Sequence, residues 1–144
     1  MAPAPHPTPR EQVIEAMATL AVALDRKDWP ALGALLLPDA TAYGARGRTR
    51  IVERVRDHLE GVGATQHLLG NHRVTLDGEG GSARCLAYGR IHHVGAGSQE
   101  GNYFECLGEY DDTWVRTPEG WRLAHRHFDM QIMRGSFAVL KRGD

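Results

Sequence analysis

The sequence predicts an α+β domain: one curved antiparallel sheet with three N-terminal helices packed on its face, a cone that encloses a pocket. Three observations lead there. Apolar residues recur at helical spacing up to about residue 60. Beyond it the pattern becomes alternating, in four runs joined by glycine-rich turns. Finally, 144 residues suit one core and leave no room for a second. A domain of that size buries roughly 70% of its unfolded surface, so it needs neither disulfide nor metal to fold.

Residues 1–9 read as a flexible Pro-rich arm and residues 10–144 as the single folded domain. Thr8 can cap the first helix, Pro9 suits its first position, and Glu11 completes a capping box. Val13, Ile14, Met17, Leu20, Ala21 and Leu24 then carry that helix to about Lys27. In "DWPALGALLLPDA" Asp28 can cap a second short helix, Pro30 lies in its first turn, and Pro38 stops it. "TAY" (41–43) is a short strand, followed by the turn "GARG". A third helix runs from about Thr49 to Glu60, with Ile51, Val52, Val55 and Leu59 on one face. Four strands follow at 66–76, 82–93, 102–116 and 121–130, joined by "DGEGGS", "GAGSQEG" and "TPEG".

Bulk composition narrows the partners. A formal net charge of −1 and the lack of any Lys/Arg run predict no attraction to nucleic acid or anionic lipid. No apolar run approaches the roughly 18 residues of a membrane span. "MAPAPHPTPR" lacks the apolar stretch of a secretory signal, so the cytoplasm is the expected location. Cys85 and Cys106 are too few and too far apart for a Cys-type zinc site or a disulfide scaffold, and each reads as a buried thiol.

Several polar residues fall where the hydrophobic pattern expects apolar ones. Asp25 lies in the sector carrying Ile14, Met17 and Ala21, where a carboxylate is costly unless paired. Alternatively it points outward at the helix end or caps the next helix. Tyr43 is either a core aromatic or a phenol aimed into the pocket. In "SARCLAYGRIHHV", Ala83, Cys85, Ala87, Gly89, Ile91 and His93 alternate with a more polar set that includes Tyr88 and His92. If the small set faces inward, it leaves empty volume and His93 points into the cavity while His92 meets solvent. His125 and His127 share a strand face and form a weak metal pair without a third ligand. His72, Arg126 and Asp129 fit either the surface or the rim. Trp114 and Leu107 are candidates for an exposed sheet face that pairs subunits, and Trp29, Met130, Ile132 and Phe137 for setting pocket size.

The stretches "ALDRKDW", "TQHLLGNHRV", "GRIHH" and "GWRLAHR" together resemble the SnoaL-like branch of the nuclear transport factor 2-like superfamily. Within it they are most similar to scytalone dehydratase and the bile-acid dehydratases, over about residues 10 to 130. The resemblance implies the same cone and an acid–base site. Asp25 matches the family's Asp, with Leu24 replacing the Tyr before it. His67 matches the His of the "TQH" element, His93 the second His through "RIHH" (an ungapped count selects His92), and Tyr43 the pocket Tyr. A strand Asn of the family has no Asn equivalent here, and Asp111 lies nearest.

These residues imply a cofactor-independent dehydratase, or a cyclase or isomerase, acting on a hydrophobic oxygenated small molecule such as a polyketide, terpenoid or steroid intermediate. Asp25, His67, His93 and Tyr43 are the expected catalytic groups, with Asp25 bonded to His93 and His67 as second acid. Trp29, Asn71, Tyr88, His92 and Asp111 are the expected substrate contacts, no metal is expected, and a homodimer or homotrimer is the expected assembly. The alternatives are a non-catalytic binding or assembly domain of the same fold, or the small subunit of a ring-hydroxylating dioxygenase.

Overall fold

The computed structural model describes residues 1–141, so the last three residues of the expected domain lie outside the described residues. The chain forms three helices, in chain order α1 (Pro9–Asp25), α2 (Trp29–Ala34) and α3 (Arg48–Leu59). Six strands, β1 (Leu36–Ala42), β2 (Ala45–Arg46), β3 (Thr65–Leu76), β4 (Ser82–Val94), β5 (Tyr103–Thr117) and β6 (Gly120–Gly135), form one curved, unclosed sheet. Its order is β2-β1-β6-β5-β4-β3. Neighbours are antiparallel except for β1 and β6, which pair in parallel.

Local chemistry explains the elements. The Thr8 hydroxyl accepts from the Glu11 amide, and the Glu11 carboxylate accepts from the Thr8 amide, closing the expected capping box. Asp28 caps α2 through the Ala31 amide, as expected. Pro38 does not stop that helix, however. The helix ends at Ala34, and Pro38 lies exposed within β1, where the pairing with β6 shifts register and needs no N–H from it. In the "DGEGGS" turn, Asp77 accepts from the amides of Glu79 and Gly81 and from the Ser82 hydroxyl, which is why an Asp opens it.

The core lies between the helices and the inner face of the sheet. Met17, Leu20, Leu32, Ile51, Phe104, Trp114 and Leu123 are essentially sealed from solvent. Burying each such side chain contributes about 1.5–3 kcal/mol. Trp114 therefore belongs to the core rather than to an exposed subunit-pairing face, because β5 turns its even-numbered side chains inward. Leu107 lies on the opposite, partly open face.

Candidate active site

Asp25 is the last residue of α1, and the chain there turns sharply through Lys27, whose φ is +52°. The turn leaves the carboxylate facing the start of β3. One oxygen accepts from the Thr65 hydroxyl at 2.9 Å and from His67 Nδ1 at 2.6 Å; the other accepts from the His67 amide at 3.0 Å. Burial resists ionisation of Asp25 and is the largest single influence, but the His67 and Thr65 bonds together hold its pKa below the usual carboxylate value.

The expected bond between Asp25 and His93 is replaced by this bond to His67. The reason is register: His67 stands two residues beyond Thr65, directly under the end of α1, whereas His93 pairs across the ladder with Thr65 and Phe104. His93 instead donates through Nδ1 to the Phe104 carbonyl at 2.9 Å. Both imidazoles thus commit Nδ1–H to an acceptor, leaving each Nε2 free. The rings meet edge to face with centroids 6.3 Å apart. His93 is 5% exposed, and burial, reinforced by the nearby His67, pushes its pKa below the ordinary histidine range.

Both histidines line a cavity of about 220 Å³, walled by Leu24, Ile91, Phe104 and Phe128, with Arg54, His58 and Met130 also in its lining. Cys106 lines it too, but burial pushes its thiol up to about 11, so it stays protonated and non-nucleophilic near neutrality.

Tyr43 reaches the cavity from the loop between β1 and β2. Ala42 and Ala45 pair, so Tyr43 and Gly44 form a two-residue hairpin loop, with φ of +54° and +73°. Such loops require positive φ at both positions, which a Tyr adopts only under strain of about 1–3 kcal/mol. Its hydroxyl accepts from Arg126 Nη1 at 3.0 Å. Arg126 is itself sealed, paired with Asp112 through bonds of 2.9 and 2.8 Å. Trp114 Nε1 donates to the same carboxylate.

The expected substrate contacts do not assemble here. His92 and Tyr88 occupy the outer face of β4, where His92 stacks on Tyr103 and bonds Glu105. Asp111 is also outward, paired with Arg84, and it is its neighbour Asp112 that points inward. Asn71 is exposed in a bulge of β3, with φ of +53°. Trp29 begins α2 and packs against the core without lining the cavity. Nor is the space over Gly89 empty: a Cβ there would come within 2.5 Å of the Tyr110 ring, which fills it. His125 and His127 are exposed, His125 bonding Thr41, and no group of three potential metal ligands exists among the described residues.

Neither Asp112 nor Tyr110 stands out in the residue pattern, and Arg126, expected at the surface or rim, is instead sealed inside. A bulge explains Arg126: β6 pairs His125 with Thr113 but Leu123 with Trp114, so Ala124 is extra and Arg126 joins Leu123 on the inner face. Strict alternation would have put it outside. The Tyr110, Asp112, Trp114 alternation within β5 is the signal that could have identified Asp112.

A helix-backed curved sheet with polar groups converging inside it defines the nuclear transport factor 2-like architecture. Residues 7–127 match the SnoaL-like domain, and the chain belongs to that family. An uncharacterized Mycobacterium tuberculosis protein is 30% identical over 123 residues, covering 81% of this chain and 82% of that one. Among solved structures, a proposed aromatic ring hydroxylase from Novosphingobium aromaticivorans superposes with a TM-score of 0.81 at 23% identity, covering 92% of this chain and 96% of that one. A proposed scytalone dehydratase from the same organism gives 0.77 at 20%, covering 85% and 84%. The hexachlorocyclohexane dehydrochlorinase LinA-type3 from Novosphingobium barchaimii gives 0.75 at 11%, covering 89% and 90%. These likenesses establish the fold.

Proposed function

We propose that the protein is a cofactor-independent acid–base enzyme, a dehydratase or a related cyclase or isomerase, acting on a hydrophobic oxygenated small molecule. The observation that carries this reading is the 2.6 Å bond from His67 to the Asp25 carboxylate at the wall of an apolar cavity. A carboxylate behind Nδ1–H stabilises the imidazolium, so His67 Nε2 is suited to take a proton from the carbon beside a carbonyl and return it to a departing hydroxyl. His93, held neutral with its Nδ1–H already donated, offers only an acceptor, suited to orienting that hydroxyl. Tyr43 would donate to the carbonyl oxygen as enolate charge develops.

Cavity size favours a small ring system. About 220 Å³ compares with the roughly 150 Å³ that encloses one benzene, so one or two rings fit. That favours a compact polyketide or terpenoid skeleton over a four-ring steroid. The dehydratase and dehydrochlorinase names carried by proteins of the same fold are consistent with elimination chemistry.

The test is hydrogen–deuterium exchange at the carbon beside the carbonyl of 2-tetralone, a bicyclic ketone, followed by NMR in deuterated buffer. Wild-type protein is expected to accelerate exchange, with His67→Gln and Asp25→Asn each losing most of it. No acceleration by folded wild-type protein, with the variants indistinguishable from it, favours the non-catalytic binding or assembly role instead.

A homodimer or homotrimer is proposed as the working assembly, in the cytoplasm. Leu68, Tyr88 and Ile132 stand exposed around a groove on the outer face of the sheet, which supports pairing there. Light scattering of wild type and Leu68→Lys checks it; an unchanged mass equal to one chain sinks it.

A further inference from the structure

The ion pair behind Tyr43 has a use beyond stability. Arg126 Nη1 donates to the Tyr43 oxygen, so that oxygen acts as acceptor and its own O–H must point elsewhere. No acceptor for that proton is present among the described residues, and Tyr43 lines the cavity. A second phenol shares the arrangement. Tyr110, inward on β5, lines the same cavity, and its ring lies beneath the guanidinium at 4.2 Å. Among the described residues no protein group hydrogen-bonds the Tyr110 hydroxyl. Nor is that hydroxyl a sealed, unpartnered atom, since among the described residues His72 Nε2 is the single such case. It therefore opens onto the cavity.

Three details fix the geometry. Gly89 leaves the room that lets the Tyr110 ring lie across β4. Asp112 holds the guanidinium by two bonds from behind, and Trp114 Nε1 holds Asp112. The strained backbone of Tyr43 places its hydroxyl against Arg126. Burial pushes the Tyr110 phenol well above its ordinary range, so it remains a neutral donor at working pH.

We infer that Tyr43 and Tyr110 form a paired O–H clamp for a carbonyl or enolate oxygen, with Arg126 as the positioning residue that orients both phenols. Arg126 touches no substrate in this scheme; it occupies the Tyr43 lone pair and supports the Tyr110 ring, so both hydroxyl protons face the ligand. The inference rests on the acid–base reading for the carbonyl nature of the ligand and adds the groups that bind that oxygen.

The probe is 4-nitrophenol, a single ring whose phenolate stands in for an enolate and absorbs visible light. Its partner is 4-nitrotoluene, which has the same ring but no oxygen in the clamped position. Wild-type protein is expected to bind the phenolate more tightly than 4-nitrotoluene. Tyr43→Phe and Tyr110→Phe are each expected to lose about tenfold to a hundredfold in phenolate affinity, the usual effect of deleting one hydrogen bond to a charge. Their 4-nitrotoluene affinity should not change. Arg126→Lys, which keeps the charge and loses the fork, should reduce phenolate affinity in the same direction and shift the bound absorption band toward the neutral phenol. Equal phenolate affinity in wild type and both Phe variants overturns the clamp, as does wild-type protein with no preference for the phenolate. An unaltered Arg126→Lys overturns the positioning role. Phenolate binding requires no proton transfer, so the clamp can stand even if Asp25→Asn and His67→Gln leave deuterium exchange untouched.

Discussion

Asp112–Arg126 and Asp25–His67 are both carboxylates held by nitrogen donors on the inner side of one sheet, and their surroundings differ sharply. The side chains of the first pair are 0% and 2% exposed; those of the second are 22% and 8% exposed. A guanidinium does not give up its proton in a protein, so the sealed pair holds a fixed charge and can serve only as framework. An imidazole nitrogen can both accept and release a proton, so the pair at the cavity wall is where a proton can move. One fold thus holds a permanent charge and a transferable one on the same side of its sheet.

The sharpest way to break this contrast is to cut the sealed pair. Arg126→Ala or Asp112→Ala leaves a buried charge alone and should cost about 3–5 kcal/mol, read from denaturant unfolding. A loss near zero would mean water reaches the site and the contrast is false. Next comes Asp25→Asn, expected to lower deuterium exchange by about 10²–10⁴-fold while costing less stability than either alanine variant. Equal stability losses with exchange unchanged would make both pairs framework.

Gly89→Ala sharpens the comparison from the side of packing. Its methyl would press on the Tyr110 ring beneath Arg126, at an expected cost of about 1–3 kcal/mol measured by thermal unfolding. Mild acid should act through buried or half-buried histidines, and the sealed Asp112–Arg126 pair gives it no imidazole to charge. The unfolded chain protonates His93 at about pH 6.5, and the folded chain only at lower pH. Between those values the unfolded state binds more protons, so stability falls as the solution is acidified. His72 has the same sign, because burial, with Arg10 adding, pushes its pKa down. Thermal midpoints recorded from neutral pH downward check this, and His93→Gln should show a shallower decline. The smallest effect belongs to Asp111→Asn on the outer face, whose exposed bond to Arg84 should leave the melting curve nearly unmoved.

Much of this molecule was legible before its coordinates. The change from helical to alternating period located the helices and the long strands to within a few residues, because burial imposes those periods directly. His67, His93 and Tyr43 line one cavity, and Asp25 stands behind it, bonded to His67. What the pattern could not show was the pairing within that set. Whether Asp25 reaches His67 or His93 depends on how α1 ends over β3, a packing angle with no periodic signature. Bulges hid the rest: the extra Ala124 brought Arg126 inward, and the one between Gly70 and Arg73 turned Asn71 out. Each inserted residue inverts the side that alternation assigns to everything after it.

The two imidazoles hang from neighbouring strands, His67 opposite Ile91 and His93 opposite Thr65. Backbone rungs between β3 and β4 therefore set the spacing of the two rings. Two exposed residues of the cavity lining, Arg54 and His58, belong to α3 instead. Mutations along that helix can redraw which compounds are admitted while the spacing of the histidines stays as it was, so diet and chemistry are free to diverge independently.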